Sequence, residues 1–206
     1  VKKKINKNTA AIVGVHWSGI PFEIDAIKEI AKENNVRVIE DAAHALGSKY
    51  KGKLIGNHSD YVCFSFQAIK HLTTGDGGAI VTNADDAALI RKLRWFGLDR
   101  KYNGSKWEQD IERSGYKFHM NNINATIGLC QMPYLDMIVN SHIENGKFYD
   151  DNIKNNKYTV FKDYFSGDLQ GCDEFCSKLL NIPVGWWVSK ENREYIVSVL
   201  NKWDNK

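Results

Sequence analysis

Between residues 39 and 78 several side chains of reactive type stand at or just beyond the ends of short apolar runs. Asp41 follows the run Val36–Ile39 by one residue beyond Glu40, and His44 comes three residues later. Ser65 lies near the end of the run Tyr61–Phe66, and Lys70 follows it, ahead of a turn holding Thr73, Thr74, Gly75, Gly77 and Gly78. A carboxylate in such a place either caps the next segment or keeps a ring nitrogen protonated. A lysine in water is a solvated cation, whereas one held partly out of water is a nucleophile. Ser65, Thr73 and Thr74 offer hydroxyls, and the glycines let backbone turn tightly or approach a ligand.

Other chemistries find little support. There is no G-x4-G-K-[ST] and no G-x-G-x-x-G after a strand, so nucleotide binding by those loops is not expected. No H-E-x-x-H occurs, and His16, His58 and His142 read as structural or surface residues. Cys63 and Cys130 lie in apolar stretches and read as buried free thiols. Cys172 and Cys176 have no second pair at zinc spacing, so no metal site is expected. A net charge of +3, with only Lys2–Lys4 clustered, does not suggest nucleic acid. No run approaches the ~18 apolar residues of a membrane helix, and no secretory address follows the basic start. A reducing, cytoplasmic location fits the cysteine usage.

The elements that must position these residues alternate. The sequence predicts a strand buried on both faces over residues 10–16, a turn at Ser18, Gly19 and Pro21, and a helix over 23–34 with the stripe Ile24, Ile27, Ile30 and Ala31. Strands follow over 36–39, 61–66 and 79–82, with a small hairpin over 47–56 and a helix capped by Asn83 or Asp85 running to about Phe96. Residues 97–120 read as a polar loop anchored by Tyr102, Trp107, Tyr116 and Phe118. A helix over 123–152 should be kinked or split at Pro133, a strand is predicted over 182–188, and an amphipathic helix over 190–203. Strands joined by helices at this spacing indicate an α/β fold with a mostly parallel sheet. Ligands bind at the carboxyl ends of such strands, where Asp41 and the segment 65–70 fall. The expected division is 1–135, the central part of a large domain, and 136–206, a shortened α+β domain.

Residues 39–78, IEDAAHALGSKYKGKLIGNHSDYVCFSFQAIKHLTTGDGG, strongly resemble the DegT/DnrJ/EryC1/StrS family of sugar aminotransferases, which use pyridoxal 5'-phosphate (PLP) on the aspartate-aminotransferase fold (fold type I). The resemblance continues through WFGLDR (95–100), GYKFHMNNINATIGL (115–129) and IPVGWWVSKENREYIV (182–197). It implies that Lys70 forms the Schiff base with the cofactor and moves the proton in both half-reactions. It implies that Asp41 pairs with the pyridine nitrogen, Ala43 packs against the ring, His44 stands beside the phenolic oxygen and Ser65 binds the phosphate. Gln67 occupies a position often held by His and is given no catalytic role. Lys117 stands where relatives often carry an Asn that reaches the partner's phosphate, so a homodimer is implied. The implied substrates are an amino-acid donor, typically glutamate, and a nucleotide-linked keto sugar.

The chain opens on Val1, without the family's segment ahead of the first strand, and runs from KFYDDNIKNN almost directly into KYTVFKDYF, where relatives carry a longer small domain. A fragment is therefore expected. The alternatives are a sugar dehydrase of the same family, in which His replaces the Schiff-base Lys; a non-catalytic remnant acting through dimer contacts; and an unrelated α/β binding domain.

Overall fold

The computed structural model describes residues 1–105, 108–152 and 182–203. These fall in two compact units, 1–135 and 136–206.

The first unit is built on a four-stranded sheet of order β1-β2-β5-β6, with β1 at Ala11–Val15, β2 at Arg37–Asp41, β5 at Tyr61–Ser65 and β6 at Gly78–Val81. A two-stranded hairpin, β3 (Lys49–Tyr50) and β4 (Lys53–Leu54), stands apart from it. The β1–β2 and β2–β5 pairings are parallel and β5–β6 is antiparallel, so the sheet is mostly parallel, as expected. The antiparallel edge has a local cause. Residues 66–77 hold no helix to carry the chain across the sheet, and Phe66 N–H donates to Gly77 C=O at 2.8 Å, which closes the loop on itself and returns it beside β5.

Helix α1 (Ile24–Glu33) covers one face of the sheet. It has apolar residues at helical spacing, with Ile24 and Ala31 buried, and ends where Asn35 takes a positive φ of 52°. The core beneath it comprises Ile24, Ala42, Ala45, Tyr50, Ile55 and Val62, with Phe22 and Phe64 packed alongside. Gly14 of β1 is required there, since a Cβ would run into the Phe22 ring. On the opposite face, however, Val13 is 61% exposed, Val15 47% and Ile80 50%. The expectation that the first strand is buried on both faces is thus corrected: the described residues cover one face, and Tyr61 on the other meets α2 (Ala84–Leu93) through a 2.9 Å bond to Asp86. Asn83 caps α2, its side chain accepting from Asp86 N–H at 2.9 Å.

Three further expectations are corrected. The aromatics of 97–120 do not anchor the loop: Tyr116 and Phe118 are 63% and 75% exposed and stack on each other at 4.9 Å. Trp107 lies outside the described residues. The segment is instead tied by backbone, Tyr116 N–H to Leu93 C=O at 2.7 Å and Phe118 N–H to Arg94 C=O at 2.9 Å, and it is Trp95 that packs, edge-on to His119 at 4.1 Å. Cys130 is exposed on α3 (Asn122–Gln131), which turns Gly128 inward against Thr74, and Cys63 on β5 is only half-buried. Cys172 and Cys176 lie outside the described residues.

Pro133 splits the long helix as expected: α3 ends at Gln131, a 3-10 turn spans Met132–Tyr134, and α4 runs over Leu135–Asn152. In the second unit, residues 182–189 form no strand. Pro183 cannot donate to a ladder, and Val188 N–H closes a turn onto Gly185 C=O at 2.9 Å. The buried Asn145 of α4 holds that turn, donating to the carbonyls of Val184 and Gly185 at 3.1 and 3.0 Å. Arg193 of α5 (Lys190–Trp203) donates to the Asn145 amide oxygen at 2.7 Å.

Candidate active site

The parallel strands bring Asp41 and Ser65 to one end of the sheet. Val15, Asp41 and Cys63 are register partners across β1, β2 and β5. Backbone bonds lock this end: His16 N–H donates to Asp41 C=O at 3.0 Å and Ala42 N–H to Cys63 C=O at 2.8 Å. The half-buried Asp41 carboxylate accepts from Ala43 N–H at 3.1 Å through Oδ1. It therefore does cap the following turn, and its second oxygen is left over for another partner. Burial, and then the Asp41 charge, push the Cys63 thiol up.

After Asp41 the chain makes two tight turns, Ala45 N–H to Ala42 C=O at 2.9 Å and Ser48 N–H to Ala45 C=O at 3.0 Å. Ala42 and Ala45 are buried in the core while Ala43 and His44 remain half-exposed. The His44 ring accepts at Nδ1 from Ser18 N–H at 3.3 Å and meets the edge of Trp17 at 5.4 Å.

Lys70 is carried by the closed loop 66–77. Ser65 Oγ accepts from Gln67 N–H at 3.3 Å, the Gln67 side chain accepts from Ile69 N–H at 3.1 Å, and its carbonyl accepts from Lys70 N–H at 2.9 Å. Leu72 and Thr74 are buried, and Thr74 N–H donates to Phe66 C=O at 2.9 Å. The hydroxyls of Thr73 and Thr74 are spent inside the loop, on Phe66 C=O and Asp76 C=O at 3.3 and 2.7 Å. Gly78 has no room for a side chain, since a Cβ would stand 2.5 Å from Phe64 O. Helix α3 braces the loop from outside: the Gln131 amide donates to Thr73 C=O at 2.7 Å and accepts from Thr73 N–H at 3.2 Å, and Asn124 donates to Asp76 C=O at 3.0 Å.

The structure thus gathers Asp41, Ala43, His44, Ser65 and Lys70 on adjoining segments at one end of the sheet. Lys117 is exposed and bridged to Trp95, just beyond the end of α2.

Sequence reasoning missed Gln67, Gln131 and Ser18 as positioning residues. It also missed a buried pair behind the site. His16 Nε2 and Glu40 Oε2 are 2.8 Å apart, and both side chains are fully buried. Phe22 N–H donates to His16 Nδ1 at 3.4 Å and the Phe22 ring stacks on the imidazole at 4.7 Å. Burial pushes the Glu40 carboxyl up, but the hydrogen bond from His16 and further polar neighbours outweigh it and hold the group below its ordinary value. Strict alternation along β2, with Val38 and Glu40 to the core and Ile39 and Asp41 away from it, is the signal that could have placed Glu40 inward. Among the described residues no cluster could hold a metal ion, and no helix is long and apolar enough to cross a membrane.

Known proteins resemble this chain in sequence and in fold. An uncharacterized protein of Methanocaldococcus jannaschii is 40% identical over 161 residues, 75% of this chain and 42% of its own. The chain therefore spans less than half the length of that curated relative. The crystal structure of the sugar aminotransferase CalS13 from Micromonospora echinospora matches with a TM-score of 0.85 and 26% identity, over 98% of this chain and 69% of its own. A structure of DesI, determined in the presence of its TDP-sugar product, is 32% identical with a TM-score of 0.66, over 75% of this chain and 38% of its own. Residues 1–163 match the DegT/DnrJ/EryC1/StrS aminotransferase family, and to that family this chain belongs.

Proposed function

We propose that this chain carries the cofactor-binding part of a PLP-dependent aminotransferase that moves an amino group from an amino acid, glutamate by the family's habit, to a keto sugar borne on a nucleotide. One observation carries the reading: Asp41, His44, Ser65 and Lys70 stand together at the carboxyl ends of β2 and β5, where an α/β sheet binds its ligands. The donor set suits PLP. It supplies an acid for a pyridinium nitrogen, an amine for a carbonyl, a hydroxyl for a phosphate and the small Ala43 beside them.

When bound, PLP supplies an electron sink that stabilises negative charge on a substrate carbon. The second oxygen of Asp41 would keep the ring nitrogen protonated, and the bond from Ala43 N–H keeps that carboxylate oriented. Lys70 Nζ would hold the cofactor and would take up and return the proton at the substrate carbon. Ser65 Oγ would bind a phosphate oxygen. Lys117 serves the phosphate of a second protomer, making the working unit a homodimer. The half-reactions predict ping-pong kinetics. Lys70 in the attachment position argues against the dehydrase reading, in which His takes its place. The DesI match supports a nucleotide-sugar substrate.

An absorption spectrum with added PLP tests the proposal. The expected result is a visible band that borohydride fixes covalently to Lys70 and that Lys70→Ala abolishes. A folded chain with no band, or a band unchanged by Lys70→Ala, overturns it.

A further inference from the structure

We infer that the backbone amide of Ser18 is a positioning group that fixes His44 as its Nε2–H tautomer, making His44 a hydrogen-bond donor to an anionic oxygen of the bound ligand. The ligand half of this inference rests on the function proposed above; the tautomer half rests on the fold alone.

Residues 16–20 form a tight turn between β1 and α1. Its first corner is the buried His16, whose N–H is given to Asp41 C=O at 3.0 Å and whose ring is held by Glu40 at 2.8 Å and by Phe22 N–H at 3.4 Å. Its far corner is Gly19, whose carbonyl accepts from Ser48 Oγ at 2.8 Å. Between these anchors Ser18 takes φ 53°, ψ 26°, a left-handed conformation that costs a non-glycine residue energy and persists only where its surroundings fix it. The two amides that follow are used within the turn, Gly19 N–H on His16 C=O and Ile20 N–H on Trp17 C=O. The Ser18 N–H instead points across to the loop that follows β2 and donates to His44 Nδ1 at 3.3 Å.

An imidazole nitrogen that accepts an N–H bond carries no hydrogen, so the ring hydrogen of neutral His44 sits on Nε2. Among the described residues Nε2 has no hydrogen-bond partner. The Trp17 edge, 5.4 Å from the ring, further limits its rotation. His44 therefore offers the site a donor, not an acceptor. A donor stabilises a phenolate or phosphate oxygen, and would be mismatched to a substrate hydroxyl that must give its own hydrogen.

The test is a long-range proton–nitrogen NMR spectrum of the 206-residue chain labelled with 15N in its histidines, without cofactor and above about pH 8, where free imidazoles are neutral. His44→Gln identifies the His44 signals. The expected result is a single tautomer with Nδ1 unprotonated and Nε2 protonated, unchanged in Ser18→Gly, which keeps the amide and accepts positive φ. Ser18→Pro, which removes the amide, should give a mixture, with the signals of the other histidines reporting that the fold persists. A protonated Nδ1 or a tautomer mixture in the unsubstituted chain overturns the inference even if Ser18→Pro fails to fold. For the ligand half, His44→Leu should bind PLP at least about tenfold more weakly, as for loss of a bond to a charged group, and His44→Gln should recover most of that. Equal affinity of all three refutes the donor role. Absence of PLP binding in the unsubstituted chain would count against the proposed function and not against the tautomer.

Discussion

Lys70 owes its place to residues that carry no reactive chemistry. Its loop is closed by Phe66 and Gly77, capped internally by Gln67 and braced by the Gln131 amide, which serves both the N–H and the C=O of Thr73. Gln131→Leu leaves both of these partly buried groups without partners. It should cost about 1–3 kcal/mol of stability, measured by urea unfolding, and should reduce the yield of PLP reduced onto Lys70 more than a substitution of the exposed Lys53. Equal stability and equal yield would mean that the brace is dispensable. The placement of Asp41, His44, Ser65 and Lys70 at or after strand ends was legible in the sequence because they follow apolar runs, and their types are chemically marked. Gln131 was not: it lies 58 residues from Thr73, and no local pattern reports a bond over that separation. Thr73 and Thr74 show the converse error, hydroxyls that look available in sequence but are satisfied within their own loop.

At the scale of elements, β2 has two opposed faces with different tasks. Asp41 points to the site, while Glu40 one residue earlier turns into the core and meets His16 at the end of β1. The pair ties the ends of two parallel strands together at the point where the Ser18 turn begins. Because the folded-state Glu40 carboxyl is held below its ordinary 4.5, its contribution is fully present above that value and is lost as pH falls through the folded one. Glu40→Gln keeps the shape and can still accept from His16, but cannot titrate. Its unfolding free energy should therefore fall less between about pH 6 and pH 3 than that of the unsubstituted chain, as followed by denaturant unfolding across that range. Parallel acid limbs in the two proteins would remove Glu40 from the account. The order of strands and helices in the first unit was readable because apolar runs, helical stripes and glycine turns are local signals. The direction of β6 was not, since it depends on a single loop closure between Phe66 and Gly77. The strand predicted over 182–188 failed for a related reason: its apolar residues satisfy the strand pattern, but Pro183 and the turn onto Gly185 leave no backbone ladder to join.

At the scale of the whole chain, the described residues cover one face of the sheet and leave apolar side chains exposed on the other. An apolar run such as AAIVGVH records what a strand can bury, not what lies against it, so the sequence alone could not distinguish two-sided from one-sided burial. In the 206-residue chain Val13, Val15 and Ile80 present apolar surface on the face away from α1, and all four residues of the edge strand β6 are exposed. A bare apolar face beside an unpaired edge is a template for self-association. The double substitution Val13→Lys/Ile80→Lys places charge on that face at positions where little packing is lost, so its unfolding free energy should change by no more than about 0.5 kcal/mol per site. Light scattering should show it monodisperse at concentrations where the unsubstituted chain associates. A large drop in stability would mean that these side chains are packed against something in solution, and unchanged association would locate the sticky surface elsewhere on the chain.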